Sequence, residues 1–75
     1  LASSSRLDVR LGDSRDAFQE VSRIIREHDG EVISVGILSQ EPPERIYSFR
    51  IEKCDTEPLR QALEAQGIEV VSFSP

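Results

Sequence analysis

Along RLDVRL, residues 6–11, apolar side chains alternate with charges. Leu7, Val9 and Leu11 share one face, while Asp8 and Arg10 share the other. Period two with that contrast predicts a strand buried on one side. LGDSRD then turns the chain. Asp13 is a good helix N-cap, because its carboxylate accepts orphan amide protons of the first turn. Asp16 sits three residues on, where it can reach back as a weaker relative of the capping box, and both acids favour the positive helix end. From Ala17 to His28 the period becomes helical. Phe18, Val21, Ile24, Ile25 and His28 form one stripe, and Glu20, Arg23, Arg26 and Glu27 stay mostly off it. Gly30 is the expected left-handed stop.

EVISVGILS, residues 31–39, predicts a second strand. Ile33, Val35 and Ile37 fall on one face, and Val32, Ser34, Gly36 and Leu38 on the other, so partial cover on both sides is expected. QEPPE interrupts pairing, because its prolines remove donors. IYSFRIE returns as a strand with Tyr47, Phe49 and Ile51 inward. Asp55 or Thr56 can cap a second helix, Pro58 suits its first turn, Leu59, Ala62 and Leu63 make a short apolar stripe, and Gly67 ends it. IEVVSF predicts a fourth strand of ambiguous facing, since Ile68 and Val70 oppose Val71 and Phe73. The order β-α-β-β-α-β gives an α+β, ferredoxin-like sandwich, a four-stranded antiparallel sheet with two helices on one face. With right-handed crossovers the expected strand order is 4-1-3-2, leaving the second and fourth strands at the edges. The open face would carry Asp8, Arg10, Ser34, Gly36, Ser48, Arg50 and Glu69, too polar for wholesale face-to-face burial. The second-strand edge is open to pairing with its equivalent in another copy, and small Ser34 and Gly36 permit close approach.

Seventy-five residues make one small domain. A chain of this size buries only about 60% of its extended surface, so its core is thin. Nine basic against fourteen acidic side chains give a net charge of −5, with no lysine or arginine block to attract nucleic acid or an anionic membrane. No apolar run approaches the roughly 20 residues needed to cross a bilayer, and no signal peptide is visible. The single Cys54 cannot form an internal disulfide and points to a reducing, cytoplasmic setting. The leading LASSS reads as a linker or expression remnant over residues 1–5, before a domain at 6–74 cut from a longer protein.

Familiar chemistries on this layout lack their residues. A soft-metal carrier wants paired thiolates in its first loop. An acyl-phosphate hydrolase could use Arg15, but it also needs an oriented water commonly held by an asparagine amide, and the chain has no asparagine. RNA binding wants aromatics and positive potential on the open sheet face, whereas Tyr47 and Phe49 are expected inside. His28, the sole imidazole, lacks further metal-ligand partners beyond Asp29 and Glu31 and reads as a partly buried helix-end side chain. Cys54 reads as inert packing. No catalytic residue, metal or cofactor is expected.

SRLDVRLGDSRDAFQEVSRIIREHDGEVISVGIL resembles the first half of an ACT domain, and IYSFRIE with TEPLRQALEAQGIEVVSF resembles the second, together covering about residues 5–73. SRLDVRL and EVISVG especially resemble the ACT module that follows paired CBS domains in bacterial proteins. The resemblance implies a non-catalytic regulatory module, a homodimer or higher homo-oligomer attached to CBS-type domains. Its effector, an amino acid or other small molecule, would lie where one protomer's first loop approaches a neighbour's second strand. Carried onto this chain, that site comprises Asp13, Ser14, Arg15 and Glu31, with Ser34 and Gly36 at the dimer boundary. Arg15 would hold a carboxylate and Glu31 an ammonium. Two departures stand out. Arg15 and Asp16 replace the family's proline and glycine, so a Cβ and a carboxylate obstruct close approach, and Glu31 replaces an asparagine and supplies no amide donor. The alternative is therefore a structural dimerisation module with a degenerate ligand site.

Overall fold

The computed structural model describes residues 4–11, 15–39, 45–52 and 54–74. Its elements are β1 (Ser4–Arg10), α1 (Arg15–Glu27), β2 (Glu31–Ser39), β3 (Ile46–Glu52), α2 (Thr56–Ala65) and β4 (Glu69–Ser74). The four strands form one antiparallel-paired sheet in the order β2-β3-β1-β4. This is the ferredoxin-like βαββαβ topology and the edge placement that the sequence predicts. β1 takes in Ser4 and Ser5, which composition groups with the linker; they pair with Glu52 and Ile51.

The core lies between the sheet and the two helices. Leu7 and Val9 of β1, Phe49 and Ile51 of β3, Val21 and Ile25 of α1, and Leu59 and Leu63 of α2 are almost wholly buried. Phe18 of α1 meets Tyr47 edge-on at a centroid distance of 5.4 Å and Phe49 at 5.5 Å. Such aromatic pairs add about 0.5–1.5 kcal/mol beyond area burial. They also hold both strand aromatics on the helix-covered side.

Register shifts settle the two ambiguous strands. On β4 the shift opposite Asp8 and Val9 places Val70 against Val9 and Phe73 against Leu7. Both pack on the core, and the extra residue, Val71, is turned out. On β2 the shift between Val32 and Ser34 places Val32 opposite Ile51. The expected facing of Val32 with Ser34 and Gly36 is thereby corrected: Val32 packs on the core, and Ile33 is the exposed extra residue. One added residue reverses the facing of everything beyond it.

Both helices close alike. In α2 the Gly67 amide bonds to Glu64 O at 2.9 Å and the Ile68 amide to Leu63 O at 3.1 Å, with Gly67 at φ 78°. This is a Schellman cap, sealed by buried Leu63 and Ile68. In α1 the Asp29 amide bonds to Arg26 O at 3.0 Å and the Gly30 amide to Ile25 O at 2.9 Å. The left-handed residue is Asp29, at φ 62°, one place before the glycine expected there. Gly30 serves another need: a Cβ on it would lie 2.9 Å from Ile25 Cγ2 and 3.1 Å from Ile51 Cγ2. At the other end of α2, Asp55 occupies the N-cap position with extended backbone and makes no side-chain cap bond.

Gly30→Ala should therefore destabilise the fold by about 1–3 kcal/mol, the cost of overpacking, as read by urea denaturation. Gly67→Ala, whose added Cβ meets open space, should lose only about 1 kcal/mol through its positive φ.

Candidate functional site

Among the described residues, the border strand β2 carries most of the exposed large apolar side chains. Ile33, Val35, Ile37 and Leu38 are between 41% and 53% exposed, and among described large apolar side chains only Val71 is similarly bare. The physical cause is lateral. α1 and α2 cover the two central strands, so inward Val35 and Ile37 project past the edge of that cover. Ile33 is turned out by the register shift, and Leu38 lines the open face beside Ser34 and Gly36. Only Val32, nearest Ile51, is half buried. Exposed apolar surface concentrated on one strand makes that strand a candidate interaction surface.

Between α1 and β2 runs a groove of about 510 Å³, lined by Phe18, Ser22, Arg26, Gly30, Glu31, Val32 and Val35. Glu31 stands exposed at its head, at the start of β2. Arg15 is exposed at the first turn of α1. Asp13 and Ser14 lie outside the described residues. β1 and β2 are both antiparallel to β3, so they run parallel to each other, and α1 returns between them. Its 13 residues separate Arg15 from Glu31 by roughly 20 Å. Within one chain these two residues sit at opposite ends of the helix. Ser34 and Gly36 lie on the open sheet face opposite Arg50 and Ser48, and Gly36 has nothing within 4 Å of the place a Cβ would take.

The remaining candidates take ordinary places. His28 is half buried at the end of α1. Cys54 packs against the core, and its thiol donates weakly to Asp55 O at 3.6 Å. Burial, then the charges of Asp55 and Asp29, push that thiol up, away from the nucleophilic thiolate. Among the described residues no cluster of three histidines, cysteines or carboxylates is placed to hold a metal, and no helix is long and apolar enough to cross a membrane.

Sequence reasoning missed Asp8. It faces the open side of the sheet yet is only 6% exposed, because β1 is central and flanked on both sides. Asp8 accepts hydrogen bonds from Arg6 Nε at 3.1 Å and Ser72 Oγ at 2.9 Å, and from the Ser48 side chain. The available signal was register: Ser48 and Ser72 are its direct neighbours across the two ladders.

No family model matches the chain, and no curated protein matches it. Solved structures do. A formyltetrahydrofolate deformylase from Pseudomonas putida KT2440 aligns with TM-score 0.65 at 12% identity, over 97% of this chain and 29% of that one. The chain thus spans less than a third of the deformylase. The ACT domain of GTP pyrophosphokinase from Chlorobium tepidum aligns with TM-score 0.61 at 9% identity, over 99% of this chain and 97% of that domain. The likeness is one of architecture: the chain has an ACT-domain-like fold.

The Asp8 carboxyl supplies a pH test. Burial pushes it up, but hydrogen bonds from Ser48, Arg6 and Ser72, with the Arg6 charge, outweigh burial and hold it below the usual carboxylate value. A depressed folded pKa contributes stability above the unfolded pKa and loses it as pH falls through the folded one. Asp8→Asn should be less stable than the native chain by about 1–3 kcal/mol at neutral pH. That gap should narrow below about pH 4 in denaturation series. A gap constant across this range would show that Asp8 is stabilised no more than in the unfolded chain.

Proposed function

We propose that this chain is a non-catalytic regulatory module that pairs with a second copy through β2 and binds a small effector at the junction. The observation that carries the reading is the exposed Ile33, Val35, Ile37 and Leu38 on a border strand whose outer edge pairs with no other strand among the described residues. Two-fold pairing of such strands continues the sheet and removes both edges from water. It also resolves the separation of Arg15 from Glu31. An antiparallel neighbour reverses direction, so its Glu31 end comes beside the Arg15 end of the first copy. Asp13, Ser14 and Arg15 of one copy, with Glu31 of the other, then frame a site for a zwitterion such as an amino acid, Arg15 toward the carboxylate and Glu31 toward the ammonium. Ser34 and Gly36 shape the seam. Attached domains, CBS-type ones in this reading, would feel effector binding as a change in how two copies associate.

A second reading keeps the pairing and drops the effector. It is favoured by Arg15 and Asp16, which stand where the ACT loop carries proline and glycine. Thermal stability measured with a panel of amino acids and nucleotides separates the two, because selective binding stabilises the native state by mass action. A reproducible rise with one class supports sensing, and a concentration-dependent dimer without any rise supports architecture alone.

Ile37→Glu should convert a concentration-dependent dimer to a single chain in sedimentation, since it places a charge in the pairing edge. Retention of the dimer in that variant would move the interface elsewhere. In calorimetry Asp16→Gly should raise amino-acid affinity by removing a repelling carboxylate and a Cβ, and no gain in a variant that still dimerises would defeat the loop assignment.

A further inference from the structure

The open face of the sheet holds a second arrangement, which adjoins the β2 edge and shares Ser34, Val35, Gly36 and Leu38 with it. Arg6 and Arg50 are direct partners across the β1–β3 ladder. Like charges placed opposite one another on a sheet repel and cost stability. Ser34 continues the row on β2. Arg6, Arg50, Ser34, Ser48, Gly36, Val35 and Leu38 line a hollow of about 340 Å³.

The two guanidinium groups are held from outside that hollow. Arg6 spends its Nε on buried Asp8, which is itself fixed by Ser48 and Ser72. Among the described residues, its two terminal amino groups are left uncommitted. Arg50 donates one Nη1 hydrogen to Ser4 Oγ at 3.0 Å, and among the described residues no carboxylate lies within ion-pair reach of it. The Ser34 hydroxyl adds a further donor, and the lack of a side chain at Gly36 keeps the surface open. The result is two cationic forks and a hydroxyl on one hollow, anchored by a buried carboxylate that a plain polar sheet surface does not require.

We propose that this hollow binds a small soluble phosphoryl oxyanion, a phosphate monoester or a diphosphate, between Arg6 and Arg50. A tetrahedral, multiply charged oxyanion accepts hydrogen bonds from both guanidinium groups at once and cancels their mutual repulsion, whereas one carboxylate is satisfied by a single fork. A broad anionic surface is a poorer fit, because Glu69, Glu52 and Glu31 border the same face of a chain of net charge −5.

The test is a titration of the chain with inorganic pyrophosphate, followed by backbone amide resonances. Saturable shifts should centre on Arg6, Ser34, Gly36, Ser48 and Arg50. Arg50→Gln should weaken binding by about tenfold or more, and Arg50→Lys should restore part of it. Arg23→Gln should leave binding unchanged, since that side chain is paired with Glu20 and Glu27 on α1. The single-chain Ile37→Glu variant should retain binding, because Arg6 and Arg50 belong to one chain, and its loss there would overturn a site complete within one copy. Non-saturating shifts spread over the surface, or equal affinity in Arg50→Gln, would overturn the proposal. So would sedimentation with anionic phospholipid vesicles in the absence of any pyrophosphate response.

Discussion

One row of side chains across the inner face of the sheet carries this fold. Val35, Phe49, Leu7 and Phe73 are successive neighbours from β2 through β3 and β1 to β4. Phe49 and Leu7, in the middle, have no exposed surface. Cover thins toward both ends, and Val35 at the β2 end is 41% exposed. With two short helices over four strands, the core can be closed at the centre only. The bareness of the border strand's inward side chains follows from this geometry.

Much of the architecture was legible because period and punctuation agreed. Leu7, Val9 and Leu11 alternate cleanly, the α1 stripe is unbroken from Phe18 to Ile25, and Gly67 stops α2 where its positive φ is needed. Legibility failed where one residue was added. Period-two reasoning has no means to place a bulge, so Val32 was assigned to the wrong face and β4 could not be assigned at all. The α1 stop failed for a different reason. Glycine was read for its freedom at positive φ, whereas Gly30 is selected for want of room beside Ile25 and Ile51.

The candidate sites were legible in proportion to how local they are. Arg15 and Glu31 could be singled out as residues, but their placement at the two ends of α1 is a matter of strand direction. Ser34 and Gly36 were placed correctly on the open face, because beyond the bulge the alternation holds. Asp8 and its serines could not be read, since Ser48 and Ser72 lie 40 and 64 positions away and meet it only through register. Burial of a charged group on the uncovered side of a sheet reflects crowding by neighbouring strands rather than hydropathy.

The tight seat of Gly30 has a mechanical consequence. The turn joining α1 to β2 is bonded back to Ile25 and wedged against Ile51, leaving no slack between helix and strand. Any side chain at that corner must displace either the helix or the central strand, because Ile25 and Ile51 crowd it from both sides.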